Sequence, residues 1–313
     1  MAETAGAALG HPRSGMRSGC RVRAAAWIAI AIAVCAVIAP IDAHSQRYAP
    51  ESVAPASVTP VFDGWSRNPD GTFSLSFGYF SRSATDVIEI PLGPDNFIEP
   101  REFDGAQPTH FQPQPQDRGP GRGIRHWGVF TVTVPSDFGD ARAVWTLRVG
   151  GETHAVPGHL THPNYEIEAL GVASSGVTPP ALSFGENGSV GRGPRGIAAG
   201  PIMATVGVPL PIPVWARDET APPVVLRWFK HQGPGEVIFE RREIRVDPAA
   251  GVARAAATFT EVGEYVLRVR ATNQATEFDR FCCWTNGYLS VHVGPGDVEP
   301  GPHSLPARPH EDR

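Results

Sequence analysis

Residues 263–271, GEYVLRVRA, give the clearest structural signal in the chain. Apolar side chains occupy every second position of this stretch. They are Tyr265, Leu267, Val269 and Ala271. A period of two is that of a β-strand with one buried face. We therefore predict that these four side chains face a core, and that Glu264, Arg268 and the other intervening residues face outward.

The same alternation recurs along the chain, and no window shows a convincing helical period. The predicted strands are residues 73–79, 87–90, 127–134, 145–149, 152–156, 210–216, 224–229, 237–239, 253–259 and 289–293. Glycine and proline together make up about a fifth of the 313 residues, which is typical of frequent turns. This pattern predicts an all-β protein with two β-sandwich domains after an N-terminal signal segment.

Composition shifts set the predicted boundaries. They are a signal peptide at 1–45, a flexible lead at 46–57, a sandwich at 58–163 with an irregular insert at 91–123, a Gly/Pro-rich linker at 164–203, a second sandwich at 204–294 and a disordered tail at 295–313. In an alternative assignment, the linker contributes the first strand of the second domain. A long insert is typically either functional or disordered.

The N-terminus is typical of an export signal. Arginines precede an apolar run from Ala24 to Ala39, and Ala43-His44-Ser45 offers small residues at the cleavage positions, so Gln46 is the expected mature start. We predict an exported protein, periplasmic or extracellular. The alternative is an uncleaved membrane anchor over residues 24–41, although sixteen apolar residues are short for a span.

Two parts of the chain resemble known families. Trp228, the Gly263–Ala271 stretch and the closing strand make the second domain similar to bacterial immunoglobulin-like domains of the polycystic-kidney-disease (PKD) or cadherin-like kind. That resemblance implies a core role for Trp228 and a Tyr265 hydroxyl that bonds back to the preceding corner. The first half resembles the amino-terminal part of secreted bacterial proteins. It does so through the stretches 68–71 (NPDG), 93–96 (GPDN) and 107–111 (QPTHF), and no activity follows from it.

No constellation of residues marks a catalytic, cofactor or metal site. His154, His159 and His162 lie close in sequence, and Asp218-Glu219 follows a strand, but exposed turn histidines and an isolated acidic pair are the simpler interpretation. We therefore predict no enzyme and no cofactor. The net charge of −5 also disfavours a nucleic-acid partner, which would need a basic face.

Cys282 and Cys283 are the two cysteines that remain after the predicted signal. In an oxidising compartment thiols seldom stay free. We predict that this pair is oxidised, either within itself or between chains.

The predicted function is non-catalytic binding, or a structural role, at the bacterial cell envelope. The partner is an envelope protein or a polysaccharide. We expect Trp127, Trp145 and Trp228 in cores, and a partner surface at His110 and Phe111 of the insert and at Trp215, which lies opposite the buried set of its strand. The alternatives are a carbohydrate-binding accessory protein, or an enzyme with a site in the insert. A concave pocket that holds His110 with a carboxylate partner would favour the enzyme.

Overall fold

The computed structural model describes residues 57–113, 125–167, 176–247, 249–273 and 283–296. The predicted signal, most of the lead and most of the tail lie outside this part of the chain. The described residues all belong to one compact unit, Val53–Arg313. The helical segments among them are two short 3-10 turns, Arg101–Phe103 and Pro163–Tyr165. No helix in the described ranges is long and apolar enough to cross a membrane.

The first sandwich contains eight strands. They are β1 (Val58–Arg67), β2 (Phe73–Ser81), β3 (Ile88–Glu89), β4 (Asn96–Glu99), β5 (His110–Phe111), β6 (Arg125–Val134), β7 (Ala143–Val149) and β8 (Glu152–Gly158). One sheet has the order β1-β2-β6, and a second has the order β4-β7-β8. The strands β3 and β5 form a separate two-stranded ladder. The ladders between these eight strands are antiparallel.

The core of the first sandwich is centred on Trp145 of β7, which is fully buried. Its ring meets Phe130 of β6 edge-on, with ring centroids 4.9 Å apart, and Phe77 of β2 at 6.1 Å. The two sheets therefore bury their apolar faces against each other, as the alternation in β2 and β7 predicts. Burial of each of these aromatic side chains removes a large apolar area from water and stabilises this half.

The second sandwich contains nine strands. They are β9 (Ala181–Ser183), β10 (Ile197–Thr205), β11 (Leu210–Arg217), β12 (Val225–Gln232), β13 (Val237–Phe239), β14 (Glu243–Arg245), β15 (Val252–Phe259), β16 (Gly263–Thr272) and β17 (Trp284–Gly294). A five-stranded sheet, β10-β17-β16-β12-β14, faces a four-stranded sheet, β13-β15-β11-β9. The strand β10 runs parallel to β17, and the other ladders are antiparallel.

The two residues that carry the immunoglobulin-like resemblance occupy the predicted positions. The Tyr265 hydroxyl donates to the carbonyl of Glu261 at 2.9 Å, so the tyrosine closes the corner that precedes β16. Trp228 is 1% exposed and stacks with Phe239. Leu267 and Val269 are fully buried in the same core. The all-β prediction with an immunoglobulin-like second sandwich is confirmed.

Two irregular segments are more structured than the sequence indicates. The Gly/Pro-rich segment 164–203 contains β9 and most of β10, and Leu182 of β9 lies in the second core. Its described residues 176–203 therefore contribute strands to the second sandwich, which is the option that the sequence left open. The described portion of the insert holds β4 and β5, and β4 pairs with β7.

Two side chains lie in environments opposite to those expected from alternation. Arg268, predicted to face solvent, is 5% exposed, because the first sandwich covers the outer face of β16. Trp127, predicted to be in a core, is half-buried, with the Arg125 guanidinium 3.4 Å from its ring centroid. A register shift in the β2–β6 ladder interrupts the alternation next to Trp127.

Candidate functional site

Polar side chains concentrate where the two sandwiches meet. We call this contact the junction, and define it as the contact of β6 and insert residues 105–110 with β12, β16 and β17. Lys230, His231, Arg268 and Asn286 are all buried there. Buried polar groups must be hydrogen-bonded or paired to be tolerated, so the partners of each decide what the junction can do.

Gly128 of β6 links the two sandwiches through both of its backbone groups. Its carbonyl accepts from Arg268 Nη1 at 3.2 Å and from Asn286 Nδ2 at 2.9 Å, and both donors belong to the second sandwich. Its N–H donates to Asp63 Oδ2 at 2.8 Å. The residue has φ +55°, and a Cβ placed on it would lie 2.6 Å from the Trp284 ring. Only glycine combines that backbone conformation with such close packing.

Asp63 is the carboxylate that supports this arrangement. It lies at a register shift in the β1–β2 ladder, and its other oxygen accepts from Arg125. Burial raises the pKa of Asp63 to about 6, although Arg125 and the Gly128 N–H oppose the shift. Gly78 lies on β2, between β1 and β6, and a Cβ there would collide with the His126 carbonyl and the Asp63 carboxylate. The irregular parts of β1 and β6 can therefore approach each other only because residue 78 is a glycine.

Arg268 is a buried cation held without a carboxylate among the described residues. Its partners are the Gly128 carbonyl and the ring of Phe229, whose centroid lies 4.4 Å from the guanidinium carbon. Burial lowers the pKa of Arg268 and raises that of Tyr288 to about 12. The Tyr288 hydroxyl donates to the Val129 carbonyl at 3.1 Å, which adds a further bond between the sandwiches.

The insert docks on the end of β12. His231 Nε2 donates to the Ala106 carbonyl at 2.9 Å, and the Thr109 N–H donates to the His231 carbonyl at 2.9 Å. Gln232 Nε2 reaches the carbonyls of Gly105 and Gln107 at 2.8 and 2.7 Å. Burial lowers the pKa of His231 to about 3, and the nearby charge of Arg268 adds to the shift. The imidazole is therefore neutral at pH 7.

Asn96 shapes the insert from inside. Its side chain is fully buried, and its Nδ2 donates to the carbonyls of Ile90 and Pro108 at 2.9 and 2.8 Å. Its Oδ1 accepts from Trp145 Nε1 at 3.0 Å. One amide thus ties both ends of the loop to the centre of the first core.

His110 forms a cluster with Glu89 and Lys230 at the edge of the junction. Its Nδ1 lies 2.6 Å from Glu89 Oε1, and Lys230 Nζ lies 2.9 Å from the same oxygen. Partial burial raises the pKa of Glu89, but hydrogen bonds from His110 and Lys230 outweigh that effect and the pKa lies below its usual value. Lys230 also donates to the Gly235 carbonyl at 2.5 Å. The cluster ties β3 and β5 to β12.

The other predicted surface residues have separate fates. Phe111 is fully buried against Tyr79 and Trp145, so its side chain offers no partner surface. The reason is that β5 turns this residue into the first core. Cys283 is buried and disulfide-bonded. Cys282 lies outside the described residues, so its pairing with Cys283 stays a prediction.

Trp215 lies on the outer face of the four-stranded sheet, as predicted. Ile212, Val214 and Ala216 are buried while Trp215 is half-buried. Within the described part of the chain its indole has no hydrogen bond and no ring contact. Trp65, by contrast, donates to a backbone carbonyl, and Trp145 donates to Asn96.

The edge of β11 beside Trp215 is poor in donors. The Ala216 N–H points to the β15 side, where it bonds to Gly251, so the odd-numbered residues face the opposite edge. Among the described strands, β9 covers that edge only at Trp215–Arg217. Pro211 and Pro213 occupy the uncovered part and have no N–H to offer. Among the described strands this part of the β11 edge is therefore unpaired, and strand addition is disfavoured there.

Several candidate metal ligands make hydrogen bonds or packing contacts within the fold. Asp218 accepts from Thr220, Ala221 and Asn273, and these bonds outweigh the effect of partial burial, so its pKa is lowered. His159 packs on Phe62, and His162 caps the turn at Asn164. In the described ranges no group of three or more His, Cys, Asp or Glu side chains converges on one point.

No protein-family model matches the chain, and no curated protein is similar to it in sequence. Solved structures give weak similarities to β-sandwich domains. The PKD domain from KIAA 1837 protein covers 39% of this chain and 100% of its own length, at 22% identity and a TM-score of 0.24. Tandem immunoglobulin domains of titin cover 77% and 100%, at 10% identity and 0.22. Fibronectin(III)-like modules of Clostridium thermocellum CbhA cover 80% and 100%, at 11% identity and 0.24.

Sequence reasoning did not find the junction. Gly128 lies between aromatic residues in a predicted strand and gives no signal of its own. Asp63 is an isolated acid, and Arg268 has the expected outward position of its strand. The pairing of Glu89 with His110 had a weak sequence signal, because the strand of Glu89 directly precedes the insert that contains His110. The spacing alone did not indicate that the two side chains are in contact.

Proposed function

We propose that the protein is an exported, non-catalytic binding protein of the bacterial cell envelope, and that its contact surface is the outer face of β11 and β15 around Trp215. One observation carries the proposal. Trp215 is a half-exposed tryptophan whose ring and N–H have no partner among the described residues. Tryptophan contributes a large contact area with one polar donor, which suits it to binding surfaces.

The junction supports a binding role over a catalytic one. Its buried side chains bond to backbone carbonyls across the two sandwiches, through Arg268, His231 and Asn286. Such bonds fix one orientation of the sandwiches and leave those groups unavailable for chemistry on a substrate. A rigid pair of sandwiches presents a surface at a set distance and angle.

Export rests on the N-terminal segment. Arg13, Arg17, Arg21 and Arg23 precede the apolar run, and the cleavage positions before Gln46 are small. Intact-mass measurement of the protein recovered outside the cytoplasm is expected to give a chain that starts at Gln46. A mass that includes Trp27 would identify an anchor in its place.

Capture from an envelope extract tests the binding surface. The full chain immobilised as bait is expected to retain a component that Trp215→Ala loses, with both proteins equally stable to heat. Tyr165→Ala is the matched control, because Tyr165 is an exposed aromatic residue on the first sandwich. Equal capture by the Trp215→Ala variant and the wild type would reject the Trp215 face as the contact surface.

An enzyme is the second candidate, because the structure gives His110 a carboxylate partner in Glu89. A carboxylate that orients Nδ1 leaves Nε2 to act as a general base. Among the described residues no serine, threonine or cysteine side chain bonds to His110, so no nucleophile is activated there. Turnover of an ester or glycoside substrate that His110→Gln abolishes would establish this function, whereas turnover that persists in that variant would not.

A further inference from the structure

Two arginines flank Trp215 on the outer face of the four-stranded sheet. In the β11–β15 ladder Trp215 is opposite Val252, and Pro213 is opposite Arg254. Residues directly opposite in an antiparallel pair share a face, so Arg254 is the diagonal neighbour of Trp215, roughly 7–8 Å away. Arg217 lies two residues further along β11 on the same face, roughly 7 Å from Trp215.

Neither arginine is neutralised by the described residues. Arg217 and Arg254 are both exposed, and neither forms an ion pair or donates a side-chain hydrogen bond to them. Arg227 on the other sheet, by contrast, pairs with Glu243 at 2.6 Å. Glu240, the acid that follows β13, donates its backbone N–H to the Ala256 carbonyl, and Ala256 lies four pairs along the ladder from the Trp215 pair. In the described part of the chain, two unpaired guanidinium groups therefore flank the indole, while the carboxylate of the neighbouring Asp218 is held by Thr220, Ala221 and Asn273.

The geometry limits how a ligand can lie here. Pro211 and Pro213 remove donors from the open edge of β11, so an extended peptide cannot add as a strand at these positions. A ligand must lie on the face instead. Its surface must be apolar where it meets the indole, and it must carry anionic groups within reach of two guanidinium groups.

We propose that the Trp215 face binds a polysaccharide whose sugar units carry carboxylate groups, an inference that rests on the binding function proposed above. The C–H face of a pyranose ring packs on the indole, and the Trp215 N–H donates to a hydroxyl. The carboxylates pair with Arg217 and Arg254, where a guanidinium forms two parallel bonds to a carboxylate. A repeating polymer places a ring and a carboxylate at regular spacing, which matches this row of side chains.

Binding of defined polymers to the full chain tests the inference. Polygalacturonate carries the carboxylate, and amylose is the neutral comparison. The wild type is expected to bind polygalacturonate, with affinity that weakens as salt is added. Trp215→Ala and Arg254→Gln are each expected to weaken binding by about tenfold or more. Trp215→Phe retains an aromatic face and is expected to keep most of the affinity.

Arg245→Gln is the matched control, because Arg245 is an exposed arginine on the opposite sheet. Melting temperatures of all variants establish that each is folded. Equal binding of amylose and polygalacturonate, or an equal loss in Arg245→Gln, would overturn the carboxylate assignment. Absence of polysaccharide binding, together with Trp215-dependent capture of an envelope protein, would overturn this inference and leave the proposed binding function intact. If Trp215→Ala changed neither measurement, both would fail.

Discussion

At the scale of single residues, Gly128 has the most demanding position in the molecule. It donates to the first sandwich through Asp63 and accepts from the second through Arg268 and Asn286. The Trp284 ring occupies the space that a Cβ on Gly128 would need. Gly128 lies within the register shift of the β2–β6 ladder, between the paired residues His126 and Phe130.

Gly128→Ala is expected to destabilise the protein by two separable effects. A left-handed backbone costs alanine about 1–2 kcal/mol, and the clash with Trp284 adds about 1–3 kcal/mol. Gly139→Ala is the matched control, because Gly139 has φ +53° but no neighbour closer than 3.8 Å to an added Cβ. Urea unfolding of both variants measures the difference. Equal losses would show that the Trp284 contact is unimportant.

Asp63 makes stability fall with rising pH. Its folded pKa of about 6 lies above the ordinary 3.8, so the folded state binds the proton more tightly than the unfolded state. Its contribution is therefore most favourable below about pH 4 and declines until about pH 6. As the pH rises from about 4 to about 6, the free energy of unfolding of Asp63→Asn is expected to increase by about 3 kcal/mol relative to that of the wild type. Asp140→Asn, an exposed carboxylate, is the control, and a constant difference between Asp63→Asn and wild type would contradict the shift.

His231 has the opposite effect on the pH dependence of stability. Its folded pKa of about 3 lies below the ordinary 6.5, so the unfolded state takes up the proton first as the pH falls. Stability is then lost below about pH 6.5, at about 1.4 kcal/mol for each pH unit until about pH 3. His231→Gln keeps a donor for Ala106 but does not titrate, so its melting temperature is expected to fall less between pH 6.5 and 4. His154→Gln serves as control, and parallel curves for His231→Gln and wild type would refute the assignment.

At the scale of elements, alternation identifies the strands but not what covers them. The inward face of β16 could be predicted, since Tyr265, Leu267 and Val269 repeat with a period of two. The burial of Arg268 could not, because it depends on β6, which lies 140 residues away from it in sequence. Short strands could not be predicted for a different reason. In β9, three residues give too few alternations to be distinguished from a turn-rich segment.

The insert is an element that a single buried amide organises. Asn96→Ala would leave the Trp145 N–H and the Ile90 and Pro108 carbonyls without their partner. The expected loss is about 3 kcal/mol or more, because each buried group left unsatisfied costs about 1–3 kcal/mol. Chemical denaturation provides the measurement, with Asn187→Ala in an exposed turn as the control. A loss as small as that of the control would mean that the loop is held by other contacts.

At the scale of the whole molecule, two separate cores share one polar junction. The first core is centred on Trp145 and the second on Trp228, and neither cluster contains residues of the other sandwich. Sandwiches joined by a linker alone would unfold independently. Here Gly128, Arg268, His231 and Gln232 connect them through hydrogen bonds that are lost when either partner unfolds.

We therefore expect the sandwiches to unfold as one cooperative unit. Unfolding of either half would break the hydrogen bonds that Arg268, Asn286 and His231 make to the first sandwich, at about 0.5–1.5 kcal/mol for each bond lost. Tryptophan fluorescence and far-UV circular dichroism in urea are expected to give coincident single transitions. Gly128→Ala, which disrupts the junction and neither core, is expected to broaden or split the transition, while Gly139→Ala keeps it single. Two resolved transitions in the wild type would show that the junction holds the sandwiches too weakly to couple them.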